Sequence, residues 1–173
     1  MAKIISSGFV VQCMDGKFLL GRTSKKNDQY CWTIFKGGTM ENESLIETAI
    51  RELKEESGID IAKDDRLNKN ISTNYIHNYS IKDKNIYVFM LVDREGALDD
   101  FQFFCNSYYG TNNDPEIVEY RKFDLSEMHN YIFPSQRGLL DVLKRIEASK
   151  VSNNEPILYY ANPNAIVTIE TKE

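Results

Sequence analysis

The sequence predicts a layered α+β domain, a mixed sheet with two main helices. Three observations lead there. Short runs rich in Val, Ile, Phe and Tyr recur along the chain and are bounded by turn residues. Two longer segments repeat apolar residues at helical spacing instead. The length of 173 residues suits one domain and is enough to bury a core without disulfides.

The elements follow in order. Residues 3–13 form a β-rich run, and KFLLGR resumes after Asp15-Gly16, so the pair reads as a hairpin. Residues 23–30 are polar and loop-like, and CWTIF (31–35) is a short strand ending at Gly37-Gly38. A helix comes next. Ser44 is placed as its N-cap, with Glu47 three residues on in the capping-box position. Ile46, Ala49, Ile50 and Leu53 make its apolar stripe, and Gly58 stands where a left-handed stop is wanted. ISTNYIHNYS (71–80) and NIYVFMLVD (85–93) read as strands around the turn IKDK. FQFFC (101–105) and EIVEYRKF (116–123) read as two more, with SYYGTNNDP (107–115) as the loop between them. Pro134-Ser135 opens a second helix, SQRGLLDVLKRIEASK, whose apolar positions include Leu139, Leu143 and Ile146. Residues 1–150 are expected to form the domain. Residues 151–173 form a C-terminal extension whose runs ILYY and AIVTIE could add strands to it.

Composition removes several function classes. The net charge is −5 and the pI about 5.2. Long nucleic acid is held mainly through phosphate neutralisation, which an acidic surface opposes. Lys25-Lys26 and the pair Lys82 and Lys84 are the local basic spots. Two histidines exclude a mechanism built on a histidine cluster. Three widely spaced cysteines fit neither a zinc site nor a disulfide framework. No apolar run reaches membrane-span length, and the first residues lack a secretory apolar segment. A reducing, cytoplasmic setting and no membrane partner are expected.

The chemistry concentrates in Gly37–Ile59. Glu52, Glu55 and Glu56 crowd within one helical turn and a half. At about 100° per residue they share one arc, at the margin of the apolar stripe rather than opposite it. Like charges so placed repel. An oxygen-only anionic set is what Mg²⁺ or Mn²⁺ prefers, and a divalent ion between them turns repulsion into attraction.

The spacing is more specific than the charge. Gly37, Glu43, Arg51, Glu52, Leu53, Glu55, Glu56, Gly58 and Ile59 fall at the set positions of the Nudix box, which the segment resembles at every defining residue. The hairpin before it and the strands after it resemble the Nudix order. The resemblance implies a Nudix fold, an α/β/α sandwich with a central mixed sheet flanked by helices. It implies metal-dependent hydrolysis of a nucleoside diphosphate linked to another moiety. It makes Glu52, Glu55 and Glu56 ligands of Mg²⁺ or Mn²⁺, with Glu52 doubling as the base and Gly37 offering a carbonyl. Arg51 would pair with Glu43 and orient the glutamates. A further acid is expected from the late strand, where Glu116 and Glu119 are the candidates. Asp99, Asp100 and Asp114 are weaker loop candidates.

The substrate is read from outside the box. Trp32, Lys36 and Gly37 resemble the W-x-x-P-K-G entry of the dinucleoside polyphosphate hydrolases, with Phe35 in place of the proline. Tyr75 resembles the tyrosine that this subgroup carries beyond the box. Diadenosine tetraphosphate is the representative substrate implied. ADP-ribose or dinucleotide pyrophosphatase, and RNA 5′ pyrophosphohydrolase or decapping activity, stay open. So does capped or 5′-triphosphate RNA as a partner. A non-catalytic Nudix-fold nucleotide sensor is the rival of another class. Lys36 is expected at phosphate oxygens. Tyr75 and Phe133, with Tyr79, Tyr108, Tyr109 and Tyr131 behind them, are candidates to stack on a base.

Overall fold

A computed structural model describes residues 3–24, 30–110 and 113–153 of the chain. Lys25-Lys26 and the runs ILYY and AIVTIE lie outside the described residues. The strands are β1 (Ile4–Gln12), β2 (Phe18–Thr23), β3 (Trp32–Thr33), β4 (Phe35–Gly38), β5 (His77–Ile81), β6 (Lys84–Val92), β7 (Tyr108–Tyr109), β8 (Asp114–Pro115) and β9 (Ile117–Phe123). The helices are α1 (Leu45–Ser57), α2 (Asp65–Asn68), α3 (Leu125–Met128) and α4 (Gly138–Asn153). The main sheet runs β3-β2-β1-β6-β5, with β4 also paired to β1 and β9 to β2. β1 and β6 are parallel and the other strand pairs of this sheet antiparallel, so the sheet is mixed.

Side chains alternate across a strand, and β1 uses that period to feed two cores. Val10 packs with Trp32, Ile86, Val88 and the α4 residues Leu139, Leu143 and Ile146. Phe9 and Val11 pack on the other face with Ala49 and Leu53 of α1. The result is the expected sandwich, with α1 on one face of the sheet and α4 on the other.

α1 forms where its sequence signals stand. The Ser44 hydroxyl accepts from the Glu47 N–H at 3.2 Å, and the Glu47 carboxylate accepts from the Ser44 N–H at 2.9 Å. Gly58 ends the helix at φ 83°, its N–H donating to the Lys54 carbonyl. A Cβ built on Gly58 would come within 2.3 Å of the Phe104 ring. Gly58→Ala should therefore destabilise the fold by about 1–2 kcal/mol from the left-handed backbone alone, a fall in Tm of roughly 3–8 °C. Thermal unfolding reads this directly, and an unchanged Tm would mean that the helix end can relax.

Several elements differ from expectation. CWTIF is two strands, because Trp32–Thr33 pair with β2 whereas Phe35–Gly38 cross to β1. Ile34 at the crossing gives its N–H to the Gln136 side chain instead. FQFFC is not a strand. Its backbone turns to the end of α1, where the Phe104 N–H donates to the Ser57 carbonyl and the Asn106 N–H to the Glu55 carbonyl. The loop at 107–115 carries the short β7–β8 hairpin. The strand expected at 71–80 begins only at His77, and the second helix starts at Gly138 after a 3₁₀ turn at Pro134–Gln136.

Candidate active site

Arg51 organises the glutamates. Its guanidinium grips Glu43 bidentately, Nε to Oε2 at 2.6 Å and Nη2 to Oε1 at 3.0 Å. Nη1 donates to Glu52 Oε2 at 2.7 Å and to Glu55 Oε1 at 3.2 Å, and Nη2 also donates to the Gly38 carbonyl at 2.8 Å. One planar fork thus ties the loop before α1 to two of its carboxylates. The Arg51 hydrogen bonds hold the Glu43 carboxyl down at about 2, helped by the Met40 N–H and the Thr48 hydroxyl.

Glu52 and Glu56 are buried, and Glu55 is half-buried. Glu52 fits because residue 37 has no side chain: a Cβ on Gly37 would lie 2.2 Å from the Glu52 carboxyl carbon. Burial pushes the Glu52 carboxyl up, and Arg51 opposes this. Glu56 Oε1 accepts from the Lys36 N–H at 2.9 Å. Its pKa is pushed well up by burial first, then by hydrogen-bonding contact with Glu116 and by the charge of Glu52. The Tyr120 hydroxyl donates to the Glu56 carbonyl and fixes that turn of α1. Burial pulls the Lys36 ammonium down, with Glu56 opposing and Lys84 adding to the effect.

The expected single arc of carboxylates is divided in two. Among the described residues, no three His, Cys, Asp or Glu side chains are gathered as a ready cage. Arg51 draws Glu52 and Glu55 to itself, while Glu56 faces Glu116. Two carboxyls can touch only by sharing a proton or a cation. The contact of Glu56 with Glu116, with the charge of Glu52 felt there and oxygen as the sole donor type, fits a hard divalent cation.

The structure separates the other candidates. Glu119 lies away from the site. Tyr120 reaches α1, so Glu119, one residue earlier, faces the other way and pairs with Arg22 at 2.8 Å. Asp99, Asp100 and Asp114 are exposed on loops or the small hairpin. Tyr75 is a correction: its ring is fully buried, packed edge-on against Tyr87 at 4.7 Å and near Phe89. A ring enclosed on the α1 face cannot stack on a base.

Lys36 and Phe133 do meet in one place. A cleft of about 440 Å³ opens beside Glu56 and Glu116 and is lined by Lys36, Gly37, Gly38 and Phe133. The β5–β6 hairpin adds Tyr79, Ile81, Lys82 and Lys84 to its lining. Tyr109, Thr23 and Gln136 also line it and were not singled out as site residues by sequence, apart from Tyr109 among the aromatics. Gln136 is buried and fully engaged, accepting from the Ile34 N–H and donating to Thr33 Oγ1. Nothing in the sequence marks it, since Ser135 and Arg137 on either side are polar as well.

Comparison with known proteins agrees with the fold. Residues 4–143 match the family model described as the NUDIX domain. The fold is similar to that of a C. elegans Ap4A hydrolase, at 19% identity and a TM-score of 0.60, covering 84% of this chain and 98% of that one. It is similar to a MutT/nudix family protein from Enterococcus faecalis, at 15% identity and a TM-score of 0.63, covering 94% and 68%. It is also similar to the E. coli dihydroneopterin triphosphate pyrophosphohydrolase, at 17% identity and a TM-score of 0.58, covering 82% and 96%. At these identities the likeness is one of fold. No curated protein matches the sequence. Among the described residues no helix is long and apolar enough to cross a membrane.

Proposed function

The chain belongs to the Nudix family, and from that premise we propose that it hydrolyses a pyrophosphate bond in a dinucleoside polyphosphate, with diadenosine tetraphosphate as the representative. Nudix hydrolases act on pyrophosphate bonds and generally need divalent metal ions. The observation that carries the narrower reading is the mixed lining of the cleft. The carboxylates of Glu56 and Glu116, the lysines Lys36, Lys82 and Lys84, and the rings of Tyr79, Tyr109 and Phe133 share it. A ligand with phosphates in the middle and a base beyond them suits such a lining.

Glu52, Glu56 and Glu116 would hold the cation, with Glu55 released from Arg51 as a further ligand and Gly37 offering its carbonyl. Mg²⁺ or Mn²⁺ supplies Lewis-acid neutralisation of phosphate oxygens and acidifies water. The protein's own part is positional. Arg51 occupies Glu52 Oε2, which leaves Oε1 to take the proton from the attacking water. The water oxygen bonds to phosphorus, the anhydride P–O bond breaks, and the leaving phosphate keeps the electron pair. Lys36, held beside Glu56, faces the phosphate oxygens, and Phe133 offers a ring to the base.

The test is a panel of nucleotides incubated with purified protein and Mg²⁺ or Mn²⁺, with products identified by chromatography. Cleavage of diadenosine tetraphosphate at a kcat/KM well above that for ADP-ribose, nucleoside triphosphates and 5′-triphosphate RNA is expected. A higher value for any of these would replace the substrate assignment. Tight nucleotide binding without turnover would make the protein a sensor.

A further inference from the structure

β5 and β6 are joined by two residues, Lys82 and Asp83, because Ile81 pairs directly with Lys84. Lys82 has φ 53°. Every other described residue with positive φ is Gly16, Gly58, Gly96, Gly110, Asn42 or Asn113. A two-residue hairpin with positive φ at its first central residue alone has the sign pattern of a II′ turn, in which that place belongs to glycine. Asparagine tolerates positive φ through local hydrogen bonds that a lysine cannot make. The chain therefore keeps a lysine in a glycine slot, at a cost in stability. It does so where the side chain faces the cleft. Backbone strain retained at a ligand-facing residue points to a function for that side chain.

We propose that Lys82 selects the length of the phosphate chain, its ammonium receiving a phosphate distal to the bond that is cleaved. This rests on the polyphosphate reading of the cleft. Lys36 stands beside Glu56, its backbone N–H on that carboxylate, and the sheet register sets Lys36 across from Gly8 and Lys84 across from Ile4, further along β1 toward the hairpin. Lys82 and Lys84 are both exposed on the hairpin and both line the cleft. The cations thus continue from the carboxylates toward the hairpin. A diphosphate keeps its charge near the carboxylates, whereas each added phosphate extends toward Lys82. A hairpin lysine serving only solubility would need neither the glycine slot nor the cleft.

The test compares Lys82→Gly and Lys82→Arg with wild type on a dinucleoside tetraphosphate and a dinucleoside diphosphate, at saturating Mg²⁺. Lys82→Gly should raise Tm by roughly 2–4 °C as strain is relieved. Its kcat/KM on the tetraphosphate should fall about tenfold, mostly through KM, as expected for loss of one solvent-screened charged hydrogen bond. The fall on the diphosphate should be several-fold smaller. Lys82→Arg should recover affinity for the long substrate without the gain in Tm. Equal losses on both substrates, or no loss on either, would overturn the assignment. Calorimetry with inorganic tetraphosphate and pyrophosphate keeps the test independent of turnover. If wild type cleaves neither dinucleotide, the substrate reading fails, and Lys82 is then judged by whether Lys82→Gly weakens tetraphosphate binding more than pyrophosphate binding. Equal weakening would overturn it there too.

Discussion

Glu56→Gln is expected to cut turnover by about two to four orders of magnitude, the range lost when a group acting on the transition state is removed. The fold should survive. Gln keeps the shape and can still accept from the Lys36 N–H that Glu56 now engages at 2.9 Å. What disappears is a negative charge that is already held in an unfavourable place, buried and touching Glu116. Without metal, Tm should therefore stay level or rise. With Mg²⁺ or Mn²⁺, the metal-induced gain in Tm seen in wild type should shrink, because binding stabilises only to the extent of the affinity. Glu55→Gln should act in the same direction. Wild-type turnover in both variants at saturating metal would remove these carboxylates from the metal site.

Arg51→Ala should damage stability and activity together. The side chain makes six hydrogen bonds: to both oxygens of Glu43, one of Glu52, both of Glu55 and the Gly38 carbonyl. Its removal leaves three carboxylates facing one another, two of them largely shielded from solvent. Breaking a partly buried charged network should destabilise by about 2–4 kcal/mol, or roughly 5–15 °C in Tm for a chain of this size. Arg51→Lys should recover little of this, since an ammonium cannot span Glu43 bidentately and still reach Glu52 and Gly38. Unchanged thermal unfolding and unchanged metal affinity in Arg51→Ala would reduce the network to surface charge.

The parts of the molecule that were legible are those whose determinants are local. Ser44, Glu47 and Gly58 are a helix's own start and stop, and the structure uses them as such. Arg51 and Glu43 meet because the turn between them is short and its residues are fixed by the box. Tyr75 was not legible because its fate depends on where alternation breaks. Tyr75 belongs to the α1 core, Ile76 to the α4 core, and Tyr79 packs against that same α4 core. Strict alternation would set Ile76 and Tyr79 on opposite faces. The chain resets just before β5, and no nearby residue announces it. FQFFC failed for a related reason. Its aromatic residues satisfy a strand pattern, yet the hydrogen-bond partners of Phe104 and Asn106 are carbonyls at the end of a helix distant in sequence. Glu116 and Glu119 show the same dependence. Only the register of β9 against β2, with its irregularity at Arg22/Thr23, decides which acid meets Glu56.

The parallel pairing of β1 with β6 has a consequence for how the protein must be made. Phe9 lies beside Phe89 and Gln12 beside Val92, although the whole of α1 separates the two strands in chain order. Contacts so remote along the chain form only after the loop they close has surrendered its freedom, which makes them slow to arrive. A polypeptide leaving the ribosome completes the glutamate helix well before β6 exists to hold the sheet behind it. At that moment every box residue is present and the cleft is not, because Lys84, Ile86 and the hairpin that bounds it are still unborn. The active site is thus a late product of synthesis, assembled from an early helix by a strand that emerges afterwards.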